Sequence, residues 1–370
     1  MKKEALSSSG YIQNLKKNKM KILILGGTGA MGTHLVHLLS KCHECFVTSR
    51  QNKIASQDNV HYIQGNAHNL VFLQQLLKHK WDVIVDFMIY NTSEFEDRVN
   101  LFLSSTKQYV FISSCRVYAN CEEKITENSP RLVDVCSDSD YLSTDEYALT
   151  KGRQENFLFN SKSRNWTIIR PYITYSEYRL QLGPMEKEYW LYRALDGRSI
   201  IMPKDIASKK TTLTYGLDVA AGIVAIIGKS AALGEAFHIT SPNSMTWDDI
   251  LSIYVNNLKT IVQKDISIKY IDTWNKRLGG GTEQVKYDRL YNREFDNSKI
   301  GRFVDVYNFK NVTVGLHDCL NTFVNDKLFK KINYTSEAYK DKLCGNKISL
   351  CKIHSLKNKV KYFLVRYLNF

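Results

Sequence analysis

The chain has 370 residues, 44% hydrophobic and 24% charged, which excludes a disordered or fibrous protein and allows two domains, or one large domain with a lobe. Its formal charge of +14 is concentrated at the ends, with +4 in residues 1–20 and +9 in residues 327–370, so the body is nearly neutral. That argues against a broad polyanion-binding face, and no nucleic-acid partner is expected.

In chain order, residues 1–19 form a basic extension with no apolar h-region, so no signal peptide is expected and the expected location is cytoplasmic. The longest apolar run, Val219–Gly228, is well short of the ~20 residues of a membrane span. Lys21–Leu25 reads as a buried strand, Ala30–Ser40 as a helix, and Cys45–Ser49 and Val60–Ile63 as strands. Leu70–His79 is helical, Trp81–Phe87 a strand, Glu94–Ser105 a helix capped by Ser93, and Tyr109–Ser113 a strand. A helix over Tyr147–Asn160 and a strand over Trp166–Ile169 complete an alternation that predicts an α/β fold, a doubly wound parallel sheet. Beyond Pro171 the alternation loosens into a smaller substrate lobe, residues 171–326, interleaved with the first domain, residues 20–170. Its elements are helices at Glu186–Leu195, Leu217–Ile227 and Trp247–Asn256 and a strand at Ala236–Ile239. Gly279-Gly280-Gly281 reads as a flexible loop. Residues 327–370 are a basic appendage. Within it Lys357–Leu368 reads either as a basic amphipathic segment for a membrane surface or acidic partner, or as a terminal helix packed on the body.

The first strand runs into Gly26-Gly27-Thr28-Gly29-Ala30-Met31-Gly32. This spacing puts Gly26 at a tight turn, Gly29 where backbone approaches a pyrophosphate and Gly32 where the helix meets the sheet. The strand and helix on either side make this a Rossmann-like dinucleotide site, with Thr28, Ala30 and Met31 in the turn. Arg50 ends the second strand, where an arginine can pair with a 2′-phosphate, so NADP is expected over NAD. Asn66 falls at an adenine edge, and Phe87, Met88 and Ile89 line the groove beyond the fourth strand.

Tyr147-Ala148-Leu149-Thr150-Lys151 places a phenol and an ammonium one helical turn apart. A lysine beside a phenol favours the phenolate and can also hold a nicotinamide ribose. Ser114, after the fifth strand, can hydrogen-bond a reacting carbinol or carbonyl oxygen. The eight cysteines follow no framework spacing and are expected to be reduced. Cys42-His43-Glu44-Cys45 is an ordinary connection, and no metal is expected.

The glycine turn, the serine after strand five and Tyr-x-x-x-Lys together resemble the extended short-chain dehydrogenase/reductase family of nucleotide-sugar epimerases, dehydratases and reductases, over about Met20 to Asn325. Further supports are Ile169-Arg170-Pro171, with Pro171 beside the cofactor, Gly216–Ala220 and Phe295–Lys299. The resemblance implies Tyr147 as acid/base, Lys151 as its partner and Ser114 as the third member. It also implies a nucleotide-sugar substrate, a homodimer and a role in polysaccharide biosynthesis. Where the family's dehydratases carry Asp-Glu after the catalytic hydroxyl, this chain has Cys115 and Arg116, which disfavours water loss. The asparagine that commonly follows the Arg-Pro pair is Ile173, and the diphosphate arginine is replaced at Thr211, leaving Lys209, Lys210, Arg289 or Arg293 to supply that charge. Tyr172, Tyr175 and Arg289 are expected at the substrate, with Ser114, Cys115 and Arg116. The expected activity is an epimerase that removes hydride and returns it through a keto sugar. The alternatives are an NADPH-dependent 4-ketoreductase, or a scaffold that binds RNA or a partner through its basic ends.

Overall fold

The computed structural model describes residues 19–55 and 57–368, so all but Lys19 of the basic N-terminal extension lies outside the described residues. Seven strands form the main sheet: β1 (Lys21–Leu25), β2 (Glu44–Ser49), β3 (Val60–Gln64), β4 (Trp81–Asp86), β5 (Thr106–Ile112), β6 (Trp166–Pro171) and β7 (Glu235–Ile239). Their order is β7-β6-β5-β4-β1-β2-β3, and every neighbouring pair is parallel. The order reverses between β1 and β4, which opens a crevice at their carboxyl ends.

The strands are apolar on both faces because helices cover both. Ile22, Ile24, Val83 and Val85 pack toward the helices Gly32–Leu39 and Gly216–Ile226. Leu23, Leu25, Ile84 and Phe111 pack toward Leu70–Leu76, Thr92–Ser105 and Tyr147–Phe159. Each such buried side chain contributes about 1.5–3 kcal/mol. The helix over 92–105 starts earlier than the sequence suggests, and its cap is Asn91 rather than Ser93. The Asn91 carboxamide accepts from the Glu94 N–H at 2.7 Å, and the Glu94 carboxylate accepts from the Asn91 N–H at 3.0 Å. Ser93 lies inside the first turn and donates to that same carboxamide. A reciprocal box closes two free N–H groups where Ser93 would close one.

A second core, with Trp190, Trp247, Tyr254, Leu316 and Phe323 at its centre, gathers the lobe. Two of its elements carried no sequence signal: the strand Ile200–Pro203, paired in parallel with Ile268–Ile271, and the helix Val312–Asp326. The triple glycine is not a loose loop. A side chain on Gly279 would sit 2.4 Å from the Tyr189 ring and one on Gly280 2.5 Å from Pro184, so both are packed, with positive φ that favours glycine.

Residues 327–368 are tied to the lobe by buried charge. Arg193 reaches Glu337 and Asp341 at 3.1 Å each, and Arg198 reaches the same two carboxylates at 2.7 and 3.1 Å. Lys340 closes on Glu337, and the Tyr362 hydroxyl donates to Asp341 at 2.7 Å. The helix Leu356–Tyr367 is therefore packed on the body through Tyr362, while Leu356, Val360, Phe363 and Tyr367 face solvent. Among the described residues no helix is long and apolar enough to cross a membrane.

Candidate active site

β1 ends on Leu25, and Gly26 turns the chain with φ +69°. Its N–H donates to Thr48 Oγ1 at 3.1 Å, fixing the turn to β2. A Cβ on Gly32 would lie 2.6 Å from the Gly27 carbonyl carbon, so helix and turn touch backbone to backbone. A Cβ on Gly29 would meet nothing within 4 Å, so that backbone faces open space. The helix Gly32–Leu39 has no side-chain cap and no acid in its first turn, which leaves its N–H groups for an anion. Ala30 packs its carbonyl toward Gly216.

From this turn a groove of about 320 Å³ runs past Thr28, Ser49, Arg50, Asn66 and Met88. It shares Phe87 and Ile89 with a cavity of about 390 Å³ that holds Met31, Ser114, Tyr147, Lys151 and Pro171. The open glycine backbone, the uncapped helix and the continuous groove fit a dinucleotide lying from Arg50 to Tyr147.

Within the cavity the catalytic candidates converge. The Ser114 hydroxyl accepts from the Arg116 N–H at 3.2 Å and lies with the Tyr147 phenol on the cavity wall. Ser113 is committed elsewhere, donating to Glu155 at 2.6 Å. Burial pushes the Tyr147 phenol above its ordinary value, opposed by the Arg116 and Arg179 charges and by Ser114. Lys151 is turned toward the Met88 carbonyl, 3.4 Å away, and over the Phe111 ring. Burial brings its ammonium down to about 8, with Asp86 and Glu155 holding it up. Arg116 is the first of the charges that hold the phenol down against burial. Glu146 caps the helix that carries Tyr147 and pairs with Arg116 at 2.7 Å, binding serine turn and tyrosine helix together.

The substrate-side expectations divide. Tyr172 lines the cavity and donates to Asp288 at 3.1 Å, and Arg289, ion-paired with that aspartate, lines it too. Two expected residues lie elsewhere. Cys115 is fully buried with its thiol on the Arg170 carbonyl, because the three-residue turn Cys115–Val117 points it into the core. Tyr175 is buried beside Tyr215, its hydroxyl against Gly315. Of the four basic residues considered for the diphosphate, only Arg289 lines the cavity. Arg293 is buried on Asp288 and on backbone carbonyls, and Lys210 pairs with Glu294 outside. Arg179, Gln181 and Gln284 also line the cavity. No local pattern marks them, since they come from the end of a tight turn, a two-residue strand and a short helix of the lobe. Cys45 is buried in β2, its thiol pushed up to about 12, which suits packing rather than metal binding. Among the described residues no three His, Cys, Asp or Glu side chains stand together as a metal site.

A seven-stranded parallel sheet with a glycine-turn groove leading to a Ser-Tyr-Lys cluster defines a dinucleotide-dependent enzyme of the short-chain dehydrogenase type. Residues 22–240 match the model of the NAD dependent epimerase/dehydratase family, and the chain belongs to that family. No curated protein matches the sequence. Among solved structures the chain is similar to the epimerase Mth375 from Methanothermobacter thermautotrophicus (15% identity, TM-score 0.66, covering 86% of this chain and 96% of that one). It is similar to a UDP-N-acetylglucosamine 4-epimerase from Methanobrevibacter ruminantium M1, solved with UDP-N-acetylmuramic acid (16%, 0.62, 83% and 98%). It is also similar to a UDP-glucuronic acid 4-epimerase from Bacillus cereus, solved with UDP-glucuronic acid and NAD (17%, 0.60, 84% and 100%). These likenesses confirm the α/β fold. The expected preference for NADP is also corrected, because the cofactor printed for similar structures, the Bacillus cereus epimerase among them, is NAD. The physical reason lies in Arg50, which is exposed. A solvated guanidinium can cover an adenine ring as readily as it pairs with a 2′-phosphate.

Proposed function

We propose that the protein is an NAD-dependent nucleotide-sugar epimerase. The observation that carries this reading is one continuous groove joining the glycine turn to Ser114, Tyr147 and Lys151, with no carboxylate among the cavity's lining residues. Removal of water from a sugar needs an acid and a base beyond the tyrosine, and Cys115 and Arg116 supply neither. The named substrates of the similar Methanobrevibacter and Bacillus enzymes are UDP-sugars, which supports a nucleotide sugar here.

In this reading the Tyr147 phenolate takes the proton from a sugar hydroxyl, and Ser114 donates a hydrogen bond to that oxygen as it becomes a carbonyl. NAD, when bound, supplies the acceptor that takes hydride from the sugar carbon and gives it back. Lys151 holds positive charge beside the cofactor end, where a nicotinamide ribose would lie. The keto sugar turns within the cavity, and Tyr147 returns its proton to the alcohol of opposite configuration. Arg289, Arg179 and Gln181 bind the nucleotide end.

The test is mass spectrometry of the purified protein under native and denaturing conditions, followed by incubation with nucleotide sugars. NAD released at about one per chain, with a sugar epimer formed and no net redox change, is the expected result. Stoichiometric consumption of a reduced nucleotide would make the protein a one-way reductase. Binding of no nucleotide would remove the enzymatic reading.

A further inference from the structure

We propose that the sugar carries an anionic group beside its reacting carbinol and that Arg116 binds it; this rests on the epimerase reading. Every charged residue lining the cavity is cationic: Arg116, Lys151, Arg179 and Arg289. Burial chiefly, with smaller contributions from the Arg116 and Arg179 charges and against the pull of Tyr172, brings Arg289 down to about 10. A nucleotide sugar with a neutral hexose brings its negative charge on the diphosphate, the end remote from the reacting carbon. Arg116 is at the other end. Its guanidinium lies 5.5 Å from the centre of the Tyr147 ring, and its backbone is tied to Ser114.

The side chain is held there and incompletely used. Glu146 takes one Nη at 2.7 Å, while the buried Nε has no hydrogen-bond partner. A buried donor without a partner destabilises the fold, and a ligand that accepts from it restores that loss. The Nε edge of a guanidinium accepts a carboxylate through two parallel hydrogen bonds. A carboxylate on the carbon next to the carbinol would meet that edge while the carbinol meets Tyr147 and Ser114.

The experiment compares hexose and hexuronate on UDP, dTDP and GDP as matched pairs, with the holoenzyme and with Arg116→Met and Arg116→Lys. The expected result is preferential turnover of one hexuronate. Arg116→Met should collapse the preference by about 100-fold, chiefly through KM, the loss of one buried charge-assisted contact, and Arg116→Lys should restore part of it. A preference for the neutral sugar, or one that survives Arg116→Met, overturns the proposal and leaves the epimerase reading standing. Turnover of none of them overturns both.

A separate observation concerns the helix Leu356–Tyr367. Leu356, Val360, Phe363 and Tyr367 recur at intervals of four, three and four, and make one stripe that is 77%, 49%, 50% and 52% exposed. An amphipathic helix packed on a soluble body normally turns such a stripe inward. Here Tyr362 is buried instead and fixes the stripe outward. Lys357 and Lys361 are exposed beside it, and no Asp or Glu occurs after Asp341. We infer that this face docks on an anionic bilayer, with aromatic and aliphatic side chains entering the headgroup boundary and lysines meeting lipid phosphates.

Sedimentation of the full chain with phosphatidylcholine vesicles, with or without phosphatidylglycerol, tests it. Binding only to the anionic vesicles, weakened by salt and lost in Val360→Ser/Phe363→Ser with an unchanged melting temperature, is expected. Equal or absent binding to both vesicles overturns the inference. So does a dimer in light scattering that the double variant dissolves, which would make a second copy the occupant.

Discussion

The Arg116 guanidinium lies over the Tyr147 ring, 5.5 Å from its centre, while holding the Glu146 carboxylate that caps the tyrosine's own helix. One side chain therefore sets both the position of the helix terminus and the charge felt by the phenol. Burial alone would leave the phenol a poor base at neutral pH, and the arginine works against that.

Tyr147→Phe removes the proton carrier and should lower turnover by about 10³-fold or more, within or beyond the usual range for a general acid–base group. Dinucleotide binding and melting temperature should hold, because no hydrogen bond from the phenol supports the core. Steady-state kinetics together with nucleotide titration check both halves.

The pH profile should follow Lys151. With its ammonium brought down to about 8, the residue is charged below that pH and neutral above it. Its favourable charge beside the cofactor end is present on the acid side and lost as pH rises through about 8. Activity should decline across that interval, and Lys151→Met should be slow at all pH values, without that limb.

Gly29 and Gly32 separate binding from folding. Gly29→Ala adds a methyl into open space, so stability should stay within about 0.5 kcal/mol while nucleotide binding weakens. Gly32→Ala drives a methyl into the Gly27 backbone and should cost about 1–3 kcal/mol of stability as well as binding. Calorimetry and nucleotide titration on the pair tell the two roles apart.

Deleting residues 327–370 should not leave a working core. It would strip Glu337 and Asp341 from Arg193 and Arg198, all four of them buried. Removing one partner of such a pair while its surroundings stay in place costs about 3–5 kcal/mol. Asp341→Asn, a smaller change, should already lower the melting temperature measurably.

Much of this was written locally. Lys21–Leu25 and the start of the helix at Tyr147 coincide with the sequence reading, because buried parallel strands and an abrupt turn-to-helix change leave a dense apolar or glycine signal. The places of Ser114, Tyr147 and Lys151 were legible because the first follows β5 and the other two share the first turns of one helix. Arg179, Gln181 and Gln284 were not, since they meet the cavity only through packing of the lobe. Cys115 and Tyr175 were misplaced for a related reason: adjacency to Ser114, or position after a strand, does not say which way a side chain turns.

The buried charges between Arg193 and Glu337 join positions 144 residues apart. During synthesis the lobe therefore waits with two arginines lacking counter-ions until that later stretch emerges. The glycine turn and the first strands can pair long before then, since their partners lie within about 60 residues. The glycine-turn half of the fold would take shape first, and the lobe that carries Arg193 and Arg198 gains its counter-charges only when the later stretch emerges.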